Sequence, residues 1–435
     1  VEGKLGLWQA TSIAVGTMIG ASIFSIFGLG ARIAGHNLPI VFVFSGALAL
    51  TVAYSYAKLG SKIVSDAGPI EFVLRALGDS VVTGALSILS WLTYVVSIAL
   101  FAKGFAGYFT PLLGIPSTRL TNSLAEVGLI VAFTALGVIG SKAVGRVELL
   151  IVAVKLSVLG LFIALGIWTV NPAWIAPHLG AAQVGSTLDA MAVFFLSYMG
   201  FGLVTNASEH INEPQRNVPR AIYLSILIVT VVYVSVAIVA VGNVELSELI
   251  RAEDYALAEA ARPFLGRLGY LAVSLGALFS ISSALNATLY GGGNIAYALA
   301  KEGQLPRVFE RRLWFGSSEG LYLTAGLGIA LALVLNLNGV ASLTSSIFMV
   351  IYLFVLASHF RLARTVGGNR LFILASIVVI AGVFLILLRY EWRTNRAAFI
   401  GTWLTLSTSL IVEAIYRRLT GRALLTRTRR ERVAD

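Results

Sequence analysis

Apolar runs long enough to cross a bilayer recur along the whole chain, and nothing else in the sequence limits the fold as much. A helix needs roughly 20 residues to span the hydrocarbon core. Twelve such runs can be drawn, at about 7–34, 38–63, 81–110, 122–140, 147–169, 187–207, 218–242, 267–299, 320–336, 340–361, 371–389 and 397–416. Hydrocarbon offers no partner to a bare N–H or C=O, so only helices and closed barrels cross it. Barrel strands are short and alternate in polarity, whereas these runs are long and continuously apolar. The fold class that follows is all-α integral membrane, with twelve transmembrane helices. Charged residues make up only 12% of the 435. That is too few to clothe a water-facing surface, which excludes a soluble domain. With no cysteine, disulfides and thiolate metal sites are excluded, and the four histidines show no metal-ligand spacing. Leu7 already begins a spanning segment, so no cleavable leader is expected.

A net charge of +11 would suggest nucleic acid in a soluble protein; here it is read through topology. Lysine and arginine collect in cytoplasmic loops. With the N-terminus placed inside, the inner connections and the tail hold 22 of the 32 cationic residues and the outer connections hold 9. The remaining one, Lys155, lies within a run. Both termini are therefore expected in the cytoplasm, with the chain crossing the cell membrane many times. Three connections are long. Residues 65–80 are amphipathic and fit the cytoplasmic face, 243–267 fit a short extracellular helix pair, and 301–319 are basic and cytoplasmic. The arginine-rich tail after Arg417 fits charge anchoring to anionic lipid headgroups.

The first run is longer than a span needs, and small residues fall near its middle at Gly16, Gly20, Ala21 and Ser22. A helix that opens at the midplane must line a cavity and offer its freed backbone groups to something bound there. Two half-helices meeting at such a break aim a positive end at an anion and a negative end at a cation, the two groups that an α-amino acid carries on one carbon. The alternative is a continuous helix whose small residues let another helix approach closely. The sixth run repeats the pattern with Leu196-Ser197-Tyr198-Met199-Gly200-Phe201-Gly202. Five runs separate the two, an odd number, so the second copy is inverted. The expected organisation is a first repeat over 1–169, a second over 187–362, and two further helices with the tail over 363–435. Paired breaks at equivalent positions mark a transporter site at the midplane.

Lys155 lies nine residues past Arg146, roughly 13 Å into the fifth run at the helical rise. An ionisable side chain at that depth is a functional candidate. Desolvation disfavours the ammonium, which suits such a lysine to binding and releasing a proton; a fixed structural cation held by carbonyls is the alternative. The eighth run supplies hydroxyls at Ser280 and Ser283, three residues apart and so on one face, with Asn286 continuing it. Bonds from those serines back to their own helix remain open as their role.

Asn212-Glu213-Pro214-Gln215-Arg216-Asn217-Val218-Pro219-Arg220 and Tyr297-Ala298-Leu299-Ala300-Lys301-Glu302-Gly303-Gln304-Leu305-Pro306 resemble cytoplasmic signatures of amino-acid permeases. Residues 16–24 resemble the first-helix motif of the same amino acid–polyamine–organocation (APC) superfamily. The stretches 20–28, 68–70, 101–109 and 207–211 are similar to its proton-coupled members. The resemblance implies an inverted repeat of five plus five helices with discontinuous helices 1 and 6, plus two appended helices. It implies that a substrate carboxylate meets the amides of Ala21 and Ser22, beside Gly20. The substrate ammonium would face carbonyls of Met18, Leu196, Ser197 and Met199, with Tyr198 as an aromatic gate. It also puts the Lys155 ammonium where sodium-coupled relatives hold a cation, close to the Gly16 carbonyl, Ser280 and Ser283. Relatives that take cationic substrates carry an acid where this chain has Gly202, so neutral substrates are implied.

The expected function is a proton-coupled symporter of neutral amino acids, with a proton-independent amino acid or amine exchanger as the rival. An enzyme would need clustered histidines, cysteines or acids within the runs, and these are absent. The expected partners are a small amino-acid substrate and the bilayer, with no nucleic acid, no obligate protein partner and no cofactor beyond the proton.

Overall fold

The computed structural model describes residues 5–65, 67–139, 144–301, 305, 309 and 319–421. Among them the regular structure is helical, with one isolated bridge between Leu5 and Ile211. The first run forms α1 (Leu7–Ala21) and α2 (Phe27–Ala34), separated by the non-helical residues 22–26. Then come α3 (Leu38–Lys62), a short α4 (Pro69–Leu77), α5 (Val81–Leu112), α6 (Arg119–Ile139) and α7 (Val144–Gly166). The sixth run divides into α8 (Ala181–Phe194), a 3₁₀ stretch Phe195–Gly202 and α9 (Leu203–Asn206). The remainder is α10 (Pro214–Asn243), the small pair α11 (Leu246–Ala252) and α12 (Ala256–Ala260), α13 (Arg262–Lys301), α14 (Glu319–Val334), α15 (Leu337–Val366), α16 (Arg370–Thr394) and α17 (Arg396–Thr420).

Ten helical stretches among the described residues have the length and apolarity to cross a membrane. The first of them, Phe27–Lys62, joins α2 to α3, and Gly320–Val334 is a shorter apolar helix. With α1 and α2 taken as one interrupted segment and α14 as a short one, the twelve expected segments are all present. The molecule is a multi-pass, all-α membrane protein. The eighth segment was expected from residue 267, and Gly266 marks that point with φ 60° and ψ −149°, a kink inside α13. The connection 243–267 holds the expected pair of small helices. The basic connection 301–319 and the tail beyond 421 lie almost wholly outside the described residues.

The amphipathic stretch after α3 forms α4, which turns Ile70, Phe72, Val73 and Leu74 into the bundle and packs on α15 and α5. α1 runs through the middle of the bundle, against α10, α13 and the 3₁₀ stretch. The N-terminal residues fix it to the end of the sixth segment: Leu5 N–H donates to His210 O at 2.7 Å, and Asn212 N–H donates to Leu5 O at 2.8 Å. The last three helices are joined by a buried carboxylate. Glu391 of α16 accepts from Ser346 of α15 at 2.9 Å and from Thr402 of α17 at 3.3 Å. At the other end of α17, Arg417 bonds Glu413 at 3.2 Å and Asp79, ahead of α5, at 2.5 Å.

Gly84 lets α17 come this close to α5. A methyl group there would stand 2.0 Å from Glu413 Oε1. Overpacking of this kind costs about 1–3 kcal/mol. Gly84→Ala is therefore expected to lower the melting temperature of the detergent-purified protein, by displacing Glu413 from Arg417. An unchanged melting temperature would show that the side chain yields without loss.

Candidate functional site

Both interruptions lie at mid-bundle, face to face. Gly200 of the 3₁₀ stretch presses on α1 so closely that a methyl there would meet Met18 N at 2.9 Å and Ala14 O at 3.1 Å. A 3₁₀ turn inside a membrane helix leaves carbonyls poorly satisfied and often marks a functional hinge. Here the satisfaction comes from α10. Tyr233, fully buried, donates its hydroxyl proton to Met18 O at 2.5 Å, shares a hydrogen bond with Ser22 Oγ at 2.9 Å, and lies 3.4 Å from Ser197 O. One phenol thus joins both broken segments. Sequence reasoning missed it. Its only signal was a hydroxyl in the middle of the valine-rich seventh run, where a buried tyrosine needs a partner.

The opening of the first segment is later than expected. α1 stays helical through Ala21, and the irregular stretch is 22–26. The earlier glycines serve close approach instead. A methyl at Gly16 would meet Val152 Cγ2 at 2.9 Å, and one at Gly20 would meet Ala284 Cβ at 2.9 Å. Both open readings of this stretch therefore hold, each over a different part of it.

Lys155 is 3% exposed and its ammonium donates to Gly16 O. The Cβ position of Gly20 is 3.6 Å from Lys155 Nζ and 3.7 Å from Ser280 O. Lys155, Gly16, Gly20 and the Ser280 turn of α13 therefore converge. The Ser280 hydroxyl is buried without a hydrogen-bond partner among the described residues, as is that of Ser197. Ser283 and Asn286 are half-buried further along α13.

A cavity of about 110 Å³ lies against α1 at Thr17 and Met18 and against the 3₁₀ stretch. Met18, Leu196 and Met199 border it, as expected of substrate residues, together with Thr17, Gly200 and Gly202. Gly20, Ser22 and Ser197 are not on its wall, and the side chain of Ala21 lies outside what the structure describes. α5 contributes Ser90, Thr93, Tyr94 and Ser97, at the spacing that lines one helix face. Among the described residues that line it, none is charged. Tyr198, expected as a gate, does not border the cavity. Its hydroxyl donates to Phe42 O at 2.7 Å and its ring packs on Tyr233 at 5.7 Å. The aromatic rings at the cavity are Tyr56, Tyr94, Phe101, Phe348 and Tyr352.

The end of the bundle carrying α11 and α12 is sealed above the breaks. Tyr108 donates to Phe24 O at 3.0 Å, and Ser25 fills the space left by Gly104. Glu253, at φ 35° in the left-handed region, pairs with Arg32 of α2 at 2.6 Å. A methyl at Gly28 would stand 1.9 Å from the Glu253 carbonyl oxygen, and one at Gly107 would stand 2.3 Å from Asp254 Cβ. Burial first, and then the Glu253 charge, push the Asp254 carboxyl up to about 6, while Lys103 and Arg32 oppose the rise. Among the described residues no group of three or more histidine, cysteine or acidic side chains could hold a metal.

The chain matches a family model described as amino acid permease over residues 5–401. An uncharacterized protein of Methanocaldococcus jannaschii is 59% identical over 419 residues, 96% of each chain. The inner membrane transport protein YbaT of Escherichia coli is 34% identical over 416 residues, 95% of this chain and 96% of its own. The serine/threonine exchanger SteT of Bacillus subtilis is 24% identical over 410 residues, 89% of this chain and 91% of its own.

Two outcomes are expected. Tyr233→Phe removes the donor at Met18 O, a loss of about 1–3 kcal/mol for a buried carbonyl left short of a partner. The variant should melt below the wild type in detergent, and equal melting would show that the carbonyl finds another donor. Asp254 carries a raised carboxyl, so its docked state holds a proton more tightly than its undocked one. The stabilisation is full below the ordinary carboxylate range and is lost as pH rises through about 6. Hydrogen exchange over 246–260, corrected for intrinsic rates, should be slower at pH 5 than at pH 7, and Asp254→Asn should flatten that difference. Faster exchange at pH 5 would reverse the assignment.

Proposed function

The chain belongs to the amino acid permease family, and on that premise we propose that it is a secondary transporter that carries neutral L-amino acids together with a proton by alternating access. The observation that carries this reading is the cavity between α1 and the 3₁₀ stretch, with no charged side chain among its described lining residues, together with a buried lysine on the carbonyl of Gly16. A cationic side chain would enter a poorly solvated space without a counter-ion, which favours neutral substrates.

In this reading the N-terminus and C-terminus are cytoplasmic, and segments 1–5 and 6–10 are the two inverted halves. The substrate ammonium binds at the carbonyls of Met18, Ser197 and Met199. The first of these already accepts from Tyr233, and the second lone pair of a carbonyl leaves room for another donor. The carboxylate meets backbone amides at the opening 22–26, toward the N-terminal end of α2, where the helix dipole favours an anion. Protonated Lys155 holds α1 to α7 through Gly16. Loss of its proton removes that tie, and α1 with the sixth segment, already joined through Leu5 and Asn212, can tilt to the other state. The likeness to the serine/threonine exchanger favours a second reading, proton-independent exchange with Lys155 as a fixed cation.

Uptake of radiolabelled L-alanine into proteoliposomes separates the two. An inward proton gradient should drive accumulation by the wild type, and Lys155→Ala should abolish that dependence. Uptake that ignores the gradient and is stimulated by internal amino acid in both proteins would establish exchange and sink the symport reading.

A further inference from the structure

A second cavity, of about 390 Å³, lies away from the breaks between α5, α6 and the turns that precede α15 and α17. Its character is opposite to that of the central one. α6 presents Arg119, Asn122, Ser123 and Glu126 to it, spaced three, one and three residues apart and therefore on one helix face. Polar and charged side chains on a membrane helix are costly and mark a functional pathway or site by default.

The charges in this cavity are not fully matched. Glu126 is 4% exposed. Its Oε1 accepts from Lys103 at 3.2 Å, while its Oε2 is buried with no hydrogen-bond partner among the described residues. Arg119 is exposed, and none of the described ion pairs involves it. Lys103 and Glu126 neutralise each other, so an acceptor wanting a donor remains at Glu126 Oε2 and a cation wanting an anion remains at Arg119. They stand two turns apart, about 10 Å along the axis at the helical rise, and the Glu126 side chain, leaning toward the helix N-terminus as helical side chains do, lies on the Arg119 side of its own turn.

We propose that this cavity binds a small zwitterion, its ammonium on Glu126 Oε2 and its anionic group at Arg119, in a site separate from the central cavity. A free α-amino acid and a phosphatidylethanolamine headgroup share this chemistry. The site is also placed to act on the sealed end of the bundle, because the Lys103 charge that pairs with Glu126 also acts on Asp254. A ligand ammonium taking up part of the Glu126 charge changes the field that Asp254 meets. This assignment does not depend on transport through the central cavity, and its test reads occupancy directly.

The chain has no cysteine, so Ser123→Cys supplies a single thiol in the wall of the site. The full-length variant is reconstituted in phosphatidylcholine vesicles and its alkylation by a maleimide is timed. Added L-alanine is expected to slow alkylation several-fold, with acetate or methylammonium at the same concentration having little effect. Adding Arg119→Ala or Glu126→Gln should remove the protection; Arg119 is exposed, so its variant does not threaten folding. Slow alkylation in phosphatidylethanolamine vesicles without added alanine would support the same zwitterion site with a lipid headgroup as occupant. Equal protection by acetate would make it an anion site and overturn the proposal. So would an absence of protection by any of these, or protection that survives both substitutions and hence arrives from the central cavity.

Discussion

Carbonyl oxygens freed by interrupting a helix cannot be left bare inside a membrane, and much of this bundle is arranged around supplying their donors. Tyr233 of α10 serves Met18 and Tyr108 of α5 serves Phe24, while Lys155 of α7 adds a second donor to Gly16 within the intact part of α1. In the sixth segment Tyr352 of α15 reaches Met199 O at 3.4 Å, and Ser345 donates to Ala192 O at 2.7 Å. Each donor comes from a different helix or a distant part of the chain. These donors tie four surrounding helices, α5, α7, α10 and α15, to the two interrupted segments.

Such ties act only if the helices come close, and glycine sets the distance where contact is tightest. Gly200 brings the 3₁₀ stretch onto the backbone of α1, and Gly20 brings α1 onto α13 beside Lys155. A side chain at either point would separate the partners by more than a hydrogen bond can stretch. The same device appears at the sealed end, where Gly28 and Gly107 receive the turn at Glu253 and Asp254. One end of the bundle is thus closed by backbone contact, an Arg32–Glu253 pair and the half-buried Asp254, while the described residues that wall the central cavity are uncharged. Charge is concentrated in the part that closes, and the central cavity is kept neutral.

Much of this was legible in the residues. The apolar runs located the segments, and the small residues of the first and sixth runs located the interruptions to within a turn. The depth of Lys155 in its run marked it as buried, and the structure sets its ammonium on the Gly16 carbonyl. Other features were not legible. The register of the first opening moved to residues 22–26, because Gly16 and Gly20 are used for packing and the helical ladder survives to Ala21. Tyr198 turned to the carbonyl of Phe42 rather than to the cavity, and Tyr233, unremarkable in its run, took the central position. The polar face of α6 could be seen only as scattered residues until Lys103 and the turns before α15 and α17 enclosed it.

The sequence by itself determined that this chain is a bundle of membrane helices, which two of its segments are interrupted, and which cation is buried. These are local properties: the length of an apolar run, the weakness of small residues in a helix, and the distance of one lysine from the nearest polar boundary. Only the tertiary structure decided which side chain completes each freed carbonyl, which faces line the two cavities, and which end is closed. Those outcomes depend on contacts between residues as far apart as Met18 and Tyr233, 215 positions along the chain. No periodicity or composition encodes such a pairing; it follows from how closely the helices pack.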